Sequence, residues 1–404
     1  MKKVLHFLFN IDHFLIAIIS LLFTAFLFFF FSFNVSFLNP VRRAFADFSM
    51  SDVYYSILWQ NEKPEKSNLI TLINIDTLYQ RKDIANVIQQ IDNLGPKVMG
   101  LDIVFEGRKP DVEGDSILTD VLQRKMENKV IACKLLNYNF ETDNFNNSLH
   151  SFFIEDLPFI QEGYTNALYS EAGTTLRKFT NYMKLNESPV NSFPMQIFYN
   201  YYGDYGVVDT TQLNERFINF SKVNFPVIHF DSIAQYPELI KDRIVLVGTT
   251  QKDEDMHYTP IGKISGLKVL AYSIQSLFDN YNIRIMDNGS IWLLAFLASY
   301  ITQLLQFFIT QGLGKFKQAS TDFLKNSVVF IRLITFFWLG VIAFIAFVIY
   351  VIQGVFISTT AILVAAVLTS EARGVYSSFI KYYVKDTTNI PLLKNSIYII
   401  TKKS

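Results

Sequence analysis

A single cysteine, Cys133, stands in the 404 residues, so no intrachain disulfide can form. The apolar run KVIACKLL around it reads as a strand with an inert buried thiol. Histidine is scarce as well. His6, His13, His150, His229 and His257 show no HExxH or His-x-x-x-His pairing, which argues against a catalytic zinc site, and no metal or cofactor is expected. Charge is sparse, at 18% of residues, and balanced at 36 basic against 36 acidic, so there is no electrostatic footprint for nucleic acid. The sequence also lacks a Gly-rich phosphate loop, an HRD or DFG pattern and any Ser-His-Asp arrangement that spacing would nominate. With no catalytic constellation left, the expectation is a protein that is not an enzyme.

What is abundant is apolar. Hydrophobic residues make up 50% of the chain, with 39 Phe and 21 Tyr, a composition that points to a membrane protein. A Phe- and Leu-rich run over 14–38 follows Met1-Lys2-Lys3 and reads as an uncleaved span with a basic cytoplasmic start. Three further apolar runs cover 291–310, 328–350 and 355–369. Lys315, Lys317 and Lys325 separate the first two, and Arg373, Lys381, Lys385, Lys394, Lys402 and Lys403 follow the last. Four spans put both basic stretches and the amino end on the cytoplasmic side, against the weak opposing signal of Arg42 and Arg43. The last run is short for a span, and three spans are the alternative. The expected organisation is a transmembrane helix over 1–39, an extracytoplasmic domain over 40–288, three transmembrane helices over 289–370 and a cytoplasmic tail over 371–404 of a bacterial inner-membrane protein.

Between the spans the pattern changes period. NLITLINID and KVMGLDIVF are short Ile-, Val- and Leu-rich runs, each ending near a carboxylate, Asp76 and Asp102, and they flank a helix-period segment over 77–94 closed by Gly95-Pro96. That order predicts a strand–helix–strand crossover in a parallel sheet. A helix over 116–128, a strand over 129–135 and a polar, Asn-rich loop over 137–151 should follow. GYTNALYSEAGTTLRKFTNY reads as two short strands, SFPMQIFYNYYG as a short helix and RFINFSKVNF as a strand. A short helix in HFDSIAQYPELIKD then leads into an apolar strand over 244–248 and a helix over 267–281. The fold class is α/β, a mainly parallel or mixed sheet flanked by helices, plus a helical membrane region of about four spans.

The stretches INIDTL, VMGLDIVF, GYTNALYSEAGTTLRKF, SFPMQIFYNYYG, INFSKV and LIKDRIVLVGTTQKDEDMHYTPIGKISGLKVLAYSIQSLF, with a span before them and three after, resemble the CHASE2 sensory module of bacterial receptors. The resemblance implies an extracytoplasmic α/β ligand-sensing domain. Such modules usually precede a cytoplasmic kinase or cyclase, whereas only a short segment follows residue 370 here, so any output is expected from a partner protein.

Ligands of open parallel sheets bind beyond the carboxyl ends of the strands. Asp76, Asp102, Glu106 and Asp255 fall near such ends, and Thr249 leaves the strand over 244–248 beside them, with Asp253, Glu254 and His257 within reach. Together they form a candidate small-ligand site whose hard oxygen donors suit the amine of such a ligand or, alternatively, Ca²⁺ or Mg²⁺. The competing reading is that these carboxylates cap helices or fix turns. In the membrane region Gln303 and Gln306 share a helix face, and Ala361 and Ala365 have small-xxx-small spacing. These four are candidates for contact with a partner subunit or a second copy of the chain, or for packing within the chain's own bundle. The run over 397–400 is a candidate edge strand. Function narrows to a sensor that passes an extracytoplasmic signal through its spans to a partner, or to a non-catalytic subunit of a membrane assembly. Lipid is a partner in both cases.

Overall fold

The structure, a computed structural model, describes residues 10–32, 49–61, 63–139, 141–157, 159–167, 175–204, 209–210, 214–251, 255–313 and 328–383. The basic residues expected to set orientation at 1–3, 42–43 and 315–325, the pair Asp253 and Glu254, and the candidate edge strand over 397–400 lie outside these residues.

In chain order, helix α1 (Ile11–Ser32) is followed by α2 (Met50–Asn61), β1 (Ile70–Asn74), α3 (Arg81–Leu94), β2 (Val98–Leu101), α4 (Val112–Gln123) and β3 (Lys129–Asn139). Next come β4 (Asn144–Leu149), β5 (Gln161–Tyr164), β6 (Lys178–Thr180), β7 (Tyr182–Leu185), β8 (Ser188–Asn191), α5 (Phe193–Tyr202), β9 (Glu215–Phe217), β10 (Val227–His229) and β11 (Ile244–Gly248). The hairpin β12 (Met256–Thr259) and β13 (Gly262–Ser265) leads into α6 (Gly266–Phe278), then α7 (Asn288–Leu313), α8 (Val328–Gln353) and α9 (Thr360–Tyr383). The chain divides into two units, Arg43–Asn282 and Met1–Arg42 with Ile283–Ser404.

The first unit is built on a mixed sheet in the order β10–β1–β11–β2–β3–β4–β7–β8, with β5 also paired to β3. From β10 to β3 every neighbour is parallel, and β5 joins β3 in parallel too. The central strands ITLIN, VMGL and IVLVG are almost wholly buried, as a parallel sheet covered on both faces requires. On one face Ile73, Met99, Leu101, Val245 and Val247 pack with Ile84, Ile88 and Ile91 of α3 and Leu118 and Leu122 of α4. On the other, Leu72, Val98 and Leu246 pack with Phe193 and Ile197 of α5 and Leu267 and Ile274 of α6. Helix α3 ends on Gly95, whose φ of 69° gives the left-handed cap that turns the chain into β2.

The expected crossover is present, and the differences have local causes. The segment over 137–151 is not a loop: β3 runs on to Asn139 and β4 returns antiparallel along it, Leu135 opposite Ser148 and Tyr138 opposite Phe145. Cross-strand pairing overrides the poor strand propensity of the Asn-rich composition. Helix α4 starts four residues early because Asp111 caps it, accepting from the Gly114 N–H at 3.1 Å. The strand expected in RFINFSKVNF splits into β9 and a two-residue pairing of Val223–Asn224 with Glu65–Lys66. The stretch before β11 forms two 3-10 turns, Phe230–Gln235 and Pro237–Leu239, broken where Pro237 enters.

In the second unit three helices among the described residues are long and apolar enough to cross a membrane, one N-terminal and two C-terminal: Ile11–Phe30, Asn288–Ile309 and Arg332–Gln353. The expected fourth span is helical but shifted. Val355–Phe356 pairs as a short strand with Arg284–Ile285, so α9 begins only at Thr360 and runs on to Tyr383, taking in Glu371, Arg373 and Lys381. Helix α9 packs along α1 and α7, while α8 leans on α7 and α9 with Phe336, Phe337 and Phe344 exposed, a surface suited to lipid. Polar groups bind the bundle. The Tyr376 hydroxyl donates to Asp12 at 2.6 Å and the Ser20 hydroxyl to the Ala365 carbonyl at 2.6 Å, so α1 and α9 run antiparallel.

The four membrane-region candidates all sit inside this bundle. Gln303 is wholly buried and its amide donates to the His13 carbonyl at 3.0 Å, and Gln306 donates to the Thr335 hydroxyl at 3.1 Å. Ala361 and Ala365 are buried among Ile291, Ala295, Ala298 and Ile357. An amide away from water takes the nearest partner, and here that partner belongs to the same chain.

Candidate functional site

The three central parallel strands finish abreast, Gly248 opposite Asn74 and Val247 opposite both Ile73 and Leu101. The residues that leave them therefore meet at one edge. Asp102 follows β2 directly and its N–H donates to the Val247 carbonyl at 2.9 Å. Thr249 follows β11. Beyond this edge opens a cavity of about 730 Å³, lined by Asp102, Val104 and Glu106 from the β2 exit, Lys134 from β3, Tyr164, Thr165 and Asn166 from β5, Lys178 from β6, and Thr249, Asp255 and His257. Gly266, Val269, Leu270 and Ser273 of α6 form another wall.

Four of the five sequence candidates, Asp102, Glu106, Thr249 and Asp255, thus line one space. Asp76 does not. It accepts from the Thr250 N–H at 2.9 Å, the Thr250 hydroxyl at 3.2 Å and the Gln251 N–H at 3.4 Å, which ties down the loop leaving β11. That is the turn-organising role expected of a strand-end carboxylate.

Position 266 shows how closely the wall is built. A Cβ there would lie 2.5 Å from an Asp255 carboxylate oxygen, so glycine lets that carboxylate rest against the start of α6, where free N–H groups favour negative charge. Ser265 caps the helix by accepting from the Lys268 N–H. Nε2 of His257 stands 3.6 Å from that same Asp255 oxygen, Oδ1.

Charge in the cavity is mixed. Asp102 is enclosed by the lining, and this burial first, then the nearby Asp255 carboxylate, pushes its carboxyl up to about 7; Lys134 and His257 pull it down without prevailing. Lys178 is already engaged, 2.8 Å from Glu215 and 4.8 Å above the Phe217 ring. The arrangement can receive an amine at the Asp102–Asp255 side and an anionic group near Lys134, around an apolar middle of Ala132, Leu176, Phe179 and Val269.

Lys134, Tyr164, Asn166 and Ser273 escaped the sequence reading because only the strand order brings them to the cavity. Lys134 alone left a trace, a charge interrupting KVIACKLL.

A second grouping lies on β3 and its neighbours. Cys133, His150 and Glu162 present donor atoms within 4.8 Å of one another. The Nδ1 of His150 is 2.6 Å from Glu162 and its Nε2 is 2.6 Å from the Ser148 hydroxyl. Sequence spacing missed this grouping, since its members come from three strands. The outer sides of α5 and α6 carry an aromatic patch: Phe198, Tyr201 and Tyr202 contact Phe278 with ring centroids 4.9–5.9 Å apart, and Tyr202 is 65% exposed.

Compared with known proteins, the chain matches the CHASE2 domain family over residues 21–309. No curated protein matches it, and no solved structure does.

Proposed function

The chain belongs to the CHASE2 domain family, a sensory extracytoplasmic module, and from that premise we propose that it is a membrane-anchored sensor whose cavity at the strand ends binds a small amine-bearing solute. The convergence of Asp102, Glu106, Thr249 and Asp255 on one cavity carries this reading. In it the ammonium group sits between Asp102 and Asp255, Lys134 meets an anionic group, and the apolar middle accepts a short hydrocarbon body. Ligand that favours one arrangement of the domain shifts the population of that arrangement, and the membrane helices pass the shift to a partner protein. The protein itself catalyses nothing in this account, in keeping with the lack of phosphate-loop and kinase patterns in the 404 residues. The contact of Asp12 with Tyr376 puts the start of α1 and the last turns of α9 on one side of the bundle, in keeping with a reading in which both chain ends face the cytoplasm of a bacterial inner membrane.

A second reading, a subunit that uses the domain as a protein-docking surface, is favoured by the aromatic patch of Phe198, Tyr201, Tyr202 and Phe278. One experiment separates the two. Full-length protein in mild detergent is melted with a panel of amino acids, diamines and matched neutral and acidic analogues, in wild type, Asp102→Asn and Asp255→Asn. The sensor reading expects amine-bearing compounds to raise the melting temperature of wild type, with the rise lost in both variants. No compound effect, together with a non-enzymatic membrane protein that co-purifies with wild type and is released by Tyr202→Glu, supports the subunit instead.

A further inference from the structure

We propose that Cys133, His150 and Glu162 form a binding site for a zinc-class divalent ion. The sheet register makes the site. Strand β3 lies between β4 and β5; His150 follows Leu149, whose partner is Lys134, and therefore stands across from Cys133. Glu162 pairs with Ile131, two residues before Cys133 and so on the same face of the sheet. Three neighbouring strands thus present a sulfur, a nitrogen and an oxygen donor within 4.8 Å of one another. Ala132 and Lys134, which alternate with Cys133, line the cavity, so the ion site belongs to the opposite face of β3.

The surroundings are those of a ligand set rather than of a chance contact. Glu162 already approaches His150 through one oxygen at 2.6 Å, while its other oxygen, Oε1, is buried and has no hydrogen-bond partner. The Ser148 hydroxyl at 2.6 Å holds Nε2 of His150, the orienting contact that metal-bound histidines typically make through their second nitrogen, and leaves Nδ1 toward Cys133 and Glu162. A mixed sulfur, nitrogen and oxygen set suits zinc, and disfavours the hard cations calcium and magnesium, which take oxygen ligands. Binding releases the thiol proton to solvent, the metal replaces the hydrogen bond between His150 Nδ1 and Glu162 while the imidazole keeps its proton on Nε2 toward the Ser148 oxygen, and three protein ligands leave a fourth position for water.

The chain has one cysteine, which makes the test unambiguous. Full-length protein, freed of any histidine tag and stripped with EDTA, is dialysed against Zn²⁺ and assayed for bound metal, then titrated with Co²⁺ alone. We expect one zinc per chain and a near-ultraviolet thiolate-to-cobalt band. Cys133→Ser abolishes the band, and Cys133→Ser and Glu162→Gln each weaken zinc binding at least tenfold while melting like wild type in EDTA. Should Cys133→Ser fail to fold, His150→Gln, at a more exposed position, serves in its place and must show the same weakening. Absence of stoichiometric zinc, cobalt bound without the thiolate band, or wild-type affinity in the variants would each overturn the proposal.

Discussion

Asp102→Asn should stabilise this protein at neutral pH, and the size of the gain can be worked out. In the folded domain Asp102 titrates near 7 against an ordinary 3.8. Between those values the folded state holds a proton that the unfolded chain has released, so stability declines as pH rises through the window, by about 1.4 kcal/mol per pH unit. About three units set an upper bound of about 4 kcal/mol, fully expressed above pH 7; water in the cavity mouth reduces this to about 2–4 kcal/mol. Asparagine has no charge to desolvate, so the variant escapes the penalty at pH 8 and gains nothing near pH 4. For a domain of this size the gain corresponds to a rise of roughly 5–15 °C in melting temperature. The buried thiol of Cys133 supplies the assay. A thiol-reactive fluorophore, added to full-length protein in detergent and EDTA, reports opening of the α/β unit alone, since no other cysteine exists. An Asp102→Asn protein that melts below wild type at pH 8, or whose advantage is the same at pH 4.5 and pH 8, refutes the argument.

The same melting assay reads two further substitutions. At Gly163 an added Cβ would lie 2.5 Å from the Phe193 Cα and 2.8 Å from its nitrogen, backbone atoms that cannot step aside, so Gly163→Ala should cost about 2–3 kcal/mol. Arg81→Met removes the partner of buried Asp115 and the donors to the Glu106 and Gly107 carbonyls, a loss of about 3–5 kcal/mol that Asp115→Asn should partly restore. Burial, the largest single influence, would raise Asp115, but the Arg81 hydrogen bond, the Lys109 N–H and the charges of Arg81 and Arg108 together outweigh it and hold the carboxyl below its usual range. The pair therefore contributes stability above the ordinary aspartate range that is lost as pH falls through the lowered value, and Arg81→Met should flatten that acid limb. In the bundle, Tyr376→Phe deletes the hydroxyl that donates to Asp12 and should lower resistance to dodecyl-sulfate unfolding by about 1 kcal/mol.

The parts of the fold that local sequence controls were legible in it. The change from period 2 to period 3.6 and back over 68–105 marked the crossover, and IVLVG announced a strand buried on both faces, which proved to be the centre of the parallel set. The polar half of the sheet was not legible. Strands β4, β7 and β8 carry Asn, Lys and Ser and build outward by pairing in turn, β4 on β3, β7 on β4 and β8 on β7. The short β10 joins β1 from far along the chain with three residues and no periodicity to read. The site divides in the same way. Carboxylates at strand ends could be picked out, but whether each faces ligand or turn depended on where Thr250 lay, and that settled Asp76 as a loop anchor. Lys134 and Tyr164 needed the topology.

The polar contacts of the bundle fix α1 lengthwise as well as sideways. Along α1 the groups that meet α7 and α9 are spaced by whole turns: Asp12 and His13 near one end, Ser20 about two turns on. A slide of α1 by a fraction of a turn would part the Tyr376 hydroxyl from Asp12, the Gln303 amide from the His13 carbonyl and the Ser20 hydroxyl from the Ala365 carbonyl, leaving these groups facing hydrocarbon. A slide of about 5.4 Å, one full turn, brings apolar Leu15, Ile16 and Ala17 where Asp12 and His13 stood, so it restores nothing. The three contacts act together as a latch on the register of α1.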